Sequence, residues 1–462
     1  MPNWRLYSAL LLALLVLAGD ALALVPTPAV GAPRPRIEIG QSWPLGRIAF
    51  SLLPLAGAER RKTLQNELVR GRVWTHDQIQ GVVNVNVPVR QTVIRLREGG
   101  LWVHNPVAPS GECLRMMREL EAEHGPVKHI VLGTLGLEHK ALAGPFSKSF
   151  PDATVWVQPG QWSFPVPLPL VAFGFPVGPR LRILPPSGSP DAPSWALNGE
   201  IEYEILGPLR FKAVGAFGET AFFHSGSGTL VVTDSVVDVQ DTPPPIIAED
   251  PRALLFHARD DIGDEVPDTA EARRRGWRRI CLFGLTFFPS GIDVTLSSCL
   301  ADLGRRPRSM DSVSADVPLG LYPWRWARDE LPSFRALQGG LLCAPILQEL
   351  ILNRFPDETL DWVARVARWK FTRIVPCHMS NDVGAGPAEW SAAFDFLRAS
   401  VGKPAATGGR VAASPHALQR LLGAFGLSTA RGGPAALKDD LRLLTTASNL
   451  CTKAGLVEPV TR

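Results

Sequence analysis

The chain has no Cys-x-x-Cys pair, and its six cysteines are scattered from Cys113 to Cys451. That spacing excludes a small disulfide-stapled module. The thiols sit mostly in apolar stretches, where free cysteine packs as a small hydrophobe. Charge of one sign is not in excess either: 48 Lys and Arg stand against 44 Asp and Glu, a net charge of +4. Such a balance gives no case for a nucleic-acid partner. The composition of a disordered chain or of a long coiled coil is also missing. With 45% hydrophobic and 20% charged residues, 42 Gly and 42 Pro, it is that of a globular α/β or α+β protein. At 462 residues the chain suits one large domain with insertions or two domains.

The amino terminus reads as a targeting segment. Arg5 precedes an apolar run over residues 6–18, and Ala21-Leu22-Ala23 supplies the small-x-small pattern of a cleavage site, so residues 1–23 are expected to be a signal peptide. The competing reading is an uncleaved anchor, because apolar character continues to Val25 over about the 20 residues a membrane span needs. A membrane partner is expected only in that case. Residues 24–41 are Pro-rich and form a linker.

Further along, strands alternate with helices. Residues 93–96 and 101–104 form a hairpin around Glu98-Gly99-Gly100. Ser110 caps a helix with Leu114, Met117 and Leu120 at helical spacing, and Gly125-Pro126 stops it. A buried strand is predicted at 127–132, which puts the stretch after Thr134 at a strand's carboxyl end, where α/β folds place ligands. Residues 158–194, dense in Pro and Trp, are expected to be an ordered but irregular loop. Residues 219–224 and 229–234 make a second hairpin that pairs His224 with Thr229 and Glu219 with Asp234. A helix is predicted over 271–279, with its arginines as a solvated face, and a buried strand over 280–288. Asp357 is expected to cap a helix carrying Leu360, Val363, Ala364 and Ala367 on one side. A strand at 371–376 then delivers His378. Two short helical stretches follow, opened by Ser414 and near Gly433-Pro434.

The chemistry-bearing residues fall at three strand ends: Glu138-His139, Asp234 and His378. Two imidazoles with carboxylates are a metal-site pattern that suits one divalent ion, Zn(II), Fe(II) or Mn(II). Glu219 is a further carboxylate on the neighbouring strand, expected to pair with a cation or face solvent. His224 and His257 are expected to be structural.

Three stretches, VKHIVLGTLGLEH ending at His139, LVVTD ending at Asp234 and RIVPCH ending at His378, resemble the successive metal-ligand segments of the metallo-β-lactamase fold. More closely, WTHDQIQGVVNVNVPVRQTVIRL, QPGQWSFPVPLP and GGLLCAPILQELILNRFP resemble a domain-of-unknown-function family of plants, algae and cyanobacteria, over residues 42 to the end. The resemblance implies an α/β fold, an αββα sandwich with insertions over residues 42–402, followed by a helical extension over 403–462. It also implies losses. The His-x-His-x-Asp-His motif of active metallo-β-lactamase relatives corresponds here to Thr134, Gly136, Glu138 and His139, and the further ligand imidazole expected near position 215 meets Gly215. Glu138, His139, Asp234 and His378 therefore correspond to half of a two-metal site.

Two functions follow as expectations. One is a mononuclear metal-dependent hydrolase of unspecified small-molecule substrate, with His139, Asp234 and His378 as ligands and Glu138 as ligand or general base. The other is a catalytically silent fold that binds a small molecule, lipid or protein through the Pro- and Trp-rich loop. The family resemblance and the presequence together imply a plastid entered through a signal peptide, with secretion or anchoring in the endoplasmic reticulum membrane as the alternative.

Overall fold

The computed structural model describes residues 62–82, 85–162, 168–212, 215–261, 264–294, 324–401 and 437–460. The expected signal peptide and linker, the helix opened by Ser414, Gly433-Pro434, Cys299 and part of the Pro-rich loop lie outside these residues. Among the described residues, two sheets dominate. The first has seven strands in sequence order: β1 (Leu64–Val69), β2 (Val73–Val82), β3 (Val85–Arg95), β4 (Leu101–His104), β5 (Val127–Leu132), β6 (Thr154–Val157) and β7 (Leu181–Ile183). Its first four strands pair antiparallel and β4 to β7 pair parallel. Parallel neighbours need long crossovers. These include α1 (Gly111–His124) between β4 and β5, and α2 (Leu137–Lys148) between β5 and β6.

The second sheet contains β8 (Ile201–Arg210), β9 (Ala216–His224) and β10 (Thr229–Val231). After the small pair β11 (Ile292–Val294) and β12 (Trp324–Trp326), it is completed by β13 (Arg373–Val375), parallel to β10. The second hairpin has the expected register, His224 opposite Thr229, but β10 leaves the ladder at Val231.

Side-chain alternation stacks these elements into four layers. Val103, Ile130 and Val155 face one way, into a core shared with Cys113 and Met117 of α1 and Leu142 of α2. Their chain neighbours Trp102, Val131 and Trp156 face the other way, against Phe222 and Val231 of the second sheet. Phe223, Leu230 and Ile374 point beyond that sheet to Trp277, Ile280 and Trp362 of the outer helices. The result is the expected αββα order. Among the described residues no helix is long and apolar enough to cross a membrane. The described cysteines are free, with Cys451 alone among them less than fully buried.

Several local expectations are corrected. Residues 280–288 do not form a strand: α3 (Ala270–Thr286), capped by Thr269, runs unbroken through 280–286 and stops at Phe287, whose φ is 67°. Residues 280–285 of α3 are apolar all round because they are enclosed all round. Nor are its arginines a merely solvated face, since Arg278 pairs with Asp241 and Arg279 with Asp260 and Glu330. Asp357 lies in the first turn of α4 (Pro356–Val366), one residue after Pro356. The buried residues of that helix include Thr359, Trp362, Val363 and Val366; of the expected set Val363 is buried, Leu360 and Ala367 are half-buried against the same core, and Ala364 is exposed. The loop over 158–194 contains two 3-10 turns and β7, which extends the sheet edge. The carboxyl-terminal region contributes α5 (Arg442–Lys453), tied to the core through Arg354 and Ser448.

Candidate metal centre

Two strand ends and one helix start deliver four side chains to one place. The stretch after β5 does not stay a loop: Gly136 opens α2, which puts Glu138 and His139 in its first turn. Asp234 follows β10 and His378 follows β13, so the parallel pairing of those strands brings them side by side. The ligand atoms of Glu138, His139, Asp234 and His378 all lie within 4.8 Å of one another.

The details favour a cation. His139 is fully buried and neither ring nitrogen has a hydrogen-bond partner. Unpartnered buried imidazole nitrogens are costly unless something else meets them. His378 uses Nδ1 at 2.9 Å on the Pro88 carbonyl oxygen, which leaves Nε2 pointing inward, 3.2 Å from Oδ1 of Asp234. A carbonyl that fixes the outer nitrogen of a ligand imidazole is the usual way its orientation is set. Oδ1 of Asp234 also lies 3.8 Å from Nε2 of His139. Burial alone would raise the Asp234 pKa, but the two imidazoles outweigh it and hold the carboxyl well below its usual range. Burial likewise opposes charge on His378, and Asp234 more than offsets that, so the imidazole is raised above 6.5.

A buried scaffold fixes these segments. Asn105, at φ 42°, donates to Thr233 Oγ1 at 2.8 Å and to Cys377 Sγ at 3.4 Å, and accepts from the Gly133 N–H at 2.9 Å. One side chain thus touches the segments leading to all four residues. Arg90, paired with Asp77 at 2.6 Å, donates to the carbonyls of Pro376, Met379 and Ser380 around His378. Glu219 is fully buried and accepts four hydrogen bonds from residues 233–235. Burial, then the charge of Asp234, push its pKa up to about 7 against those donors. It neither pairs with a cation nor faces solvent, contrary to expectation, and it stands outside the ligand cluster. His104 is also buried, and burial lowers it to about 3, with His139 and Asp234 in electrostatic reach.

Arg90, Asn105 and Glu219 were not singled out as scaffold by the sequence. Their signal was a charged or amide group within otherwise apolar strands or at a strand end, VNVPVRQTV, LWVHN and AFGETAFF. His224, bonded to Ser227, and His257, packed between Phe256 and Phe283, stay outside the cluster. At position 215, a Cβ on Gly215 would meet the Trp162 ring at 2.5 Å, and φ is +110°. No imidazole fits there without displacing that indole. Lys140 of α2 donates to the Trp162 carbonyl and so ties the Pro- and Trp-rich loop to the helix carrying Glu138 and His139.

Residues 70–396 match a family described as a domain of unknown function, DUF4336. The chain belongs to that family. No curated protein matches this DUF4336 chain. Among solved structures it is similar to a metallo-β-lactamase from Pontibacter korlensis at 9% identity, with a TM-score of 0.32, covering 72% of this chain and 99% of that one. It is also similar to the metal-soaked Flv1 flavodiiron core from Synechocystis sp., at 8% identity and a TM-score of 0.37, covering 74% of this chain and 62% of that one. The metallo-β-lactamase FIM-1 from Pseudomonas aeruginosa in its mono-zinc form matches at 8% identity and a TM-score of 0.36, covering 76% and 100%. The layer order of the DUF4336 chain rests on its own contacts.

Proposed function

We propose that the chain is a mononuclear metal-dependent hydrolase acting on an ester, thioester or amide. The observation that carries this reading is the convergence of Glu138, His139, Asp234 and His378 within 4.8 Å, with neither nitrogen of buried His139 in a hydrogen bond. His139, His378 and Asp234 would hold one divalent ion, and the mixed imidazole and carboxylate donors suit Zn(II), Fe(II) or Mn(II). When bound, the ion supplies Lewis acidity, which lowers the pKa of water and polarises a carbonyl. Glu138, partly exposed beside the three, would take a proton from water and return it to the leaving group. Pro88 and Arg90 keep His378 oriented while this happens. Purified protein assayed with and without added Zn(II), Fe(II) or Mn(II) against an ester, thioester and amide panel tests the reading. Metal-dependent turnover lost on chelation supports it, and turnover indifferent to metal and chelator contradicts it.

A second reading is a catalytically silent fold that binds a small molecule, lipid or protein partner through residues 158–169. It is favoured by the Trp162 ring seated on Gly215, where a two-metal relative would need another ligand. Under that reading the double variant His139→Ala, His378→Ala keeps its ligand affinity and thermal stability. For location, the presequence and the Pro-rich residues 25–36 after it, which hold no acidic side chain, support delivery to a plastid through a signal peptide.

A further inference from the structure

Glu219 lies in a strand of otherwise uncharged residues, AFGETAFFH, where a carboxylate has no packing reason to be. It is completely buried. Its Oε1 accepts from the Thr233 N–H at 2.8 Å and the Ser235 hydroxyl at 2.7 Å, and its Oε2 from the N–H groups of Asp234 and Ser235, both at 2.9 Å. None of these donors is a cation. Three successive backbone N–H groups turned toward one carboxylate form an anion-binding concavity that the chain fills with its own side chain. The need for it is local: β10 ends at Val231, so the N–H groups of 233–235 lack the β9 ladder and would be buried unpaired. The main chain beside Glu219 also holds the first ligand segment. The Thr220 N–H donates to the Gly133 carbonyl at 2.7 Å, and the Leu135 N–H to the Gly218 carbonyl at 3.1 Å.

We infer that Glu219 is a positioning residue that clamps the 233–235 turn so that Asp234 presents its carboxylate to the metal position between His139 and His378. The inference rests on the metal-site reading above. An amide cannot replace the carboxylate. In Glu219→Gln, either orientation of the new amide turns its NH2 group toward an N–H donor: toward Thr233 in one, toward both Asp234 and Ser235 in the other. Only the Ser235 hydroxyl can rotate to accept.

The test uses the full-length chain as wild type, Glu219→Gln and Ser235→Ala. Trp362→Phe, a buried change in α4 whose indole bonds the Glu204 carbonyl and packs on Trp390 and Phe394, serves as the destabilised control. Zn(II) affinity is measured by chelator competition, ligand geometry by the visible spectrum of the Co(II) form, and the clamp by amide hydrogen exchange at 233–235. Glu219→Gln is expected to bind Zn(II) about 10–100-fold more weakly, the range seen when residues holding metal ligands are removed. Its Co(II) bands are expected to move and its 233–235 amides to exchange faster, while Trp362→Phe keeps wild-type affinity and spectrum. Wild-type affinity and spectrum in Glu219→Gln, or an equal loss in Trp362→Phe, would overturn the inference. If Glu219→Gln does not fold, Ser235→Ala decides: a severalfold weaker site supports the clamp and an unchanged one refutes it. A wild-type chain that takes up no metal overturns the hydrolase reading and the positioning role together. That outcome differs from wild-type binding matched by the variant, which sinks only the inference.

Discussion

Oδ1 of Asp234 stands 3.2 Å from Nε2 of His378 and 3.8 Å from Nε2 of His139, so one carboxylate oxygen faces two imidazoles from different elements. The two rings are 5.2 Å apart between centroids. Without a cation this arrangement is an ion pair, and with one it is three ligands. A cation bound there would compete with the proton that Asp234 favours on His378, which makes pH a probe.

In the metal-free chain the raised pKa of His378 contributes stability that is complete below its ordinary value of 6.5 and is lost as pH rises through the folded value. The depressed Asp234 contributes stability that is complete above its ordinary value of 3.8 and is lost as pH falls through the folded value. The thermal advantage of metal-free wild type over Asp234→Asn should therefore be widest between about pH 4 and 6.5, the window between those ordinary values. Metal affinity should run the other way and rise as pH climbs through the His378 transition, because binding releases its proton. A stability difference and a metal affinity both flat from pH 4 to 8 would contradict the pairing.

Glu138→Gln separates ligand from base. Three ligands remain, so the account expects metal to stay bound while kcat for the metal-dependent ester hydrolysis falls about 10²–10⁴-fold, the usual worth of a positioned general base. Metal titration with steady-state kinetics checks this. Unchanged kcat removes Glu138 from the chemistry.

Arg90 and Asp77 form a pair with side chains only 1% and 7% exposed. Arg90→Met strands Asp77 as a buried carboxylate and frees the three carbonyls around His378, at an expected loss of about 3–5 kcal/mol in denaturant unfolding. The double variant Arg90→Met, Asp77→Leu should recover part of that loss. A single-variant loss below about 1 kcal/mol would show that the pair does not hold the His378 segment.

Much of this site was legible because its residues sit where strand patterns end. The VKHIVL run, the SGSG turn and the RIVPC run each announce a strand, and Glu138-His139, Asp234 and His378 follow them. Other features were hidden by enclosure. Ile280, Cys281, Leu282 and Phe283 are all buried on a helix surrounded by core, so no polar side marks its period and the run reads as a strand. Helix α2 is interrupted in sequence by Gly144-Pro145, yet Gly144 is needed there, since a Cβ would meet the Phe173 carbonyl oxygen at 1.9 Å. Glu219 was placed opposite Asp234 by counting strand steps. The count could not reveal that the partner is the backbone of the turn rather than a side chain.

Lys140 adds a prediction at alkaline pH. Burial lowers its pKa from 10.5 to about 8, so between those values the unfolded chain binds a proton that the folded chain does not, and stability rises with pH. Lys140→Met removes that rise and the donor to the Trp162 carbonyl. Urea midpoints of wild type and variant should diverge differently at about pH 7 and pH 10, and a constant offset would contradict the assignment.

The most direct measurement is metal stoichiometry on purified, chelator-stripped protein after reconstitution with Zn(II), Fe(II) or Mn(II), compared with the double variant His139→Ala, His378→Ala. The account predicts about one equivalent per chain for wild type, held by the cluster of four candidate ligands, and almost none for the variant. Well below one equivalent in wild type, or equal retention in the variant, would contradict it.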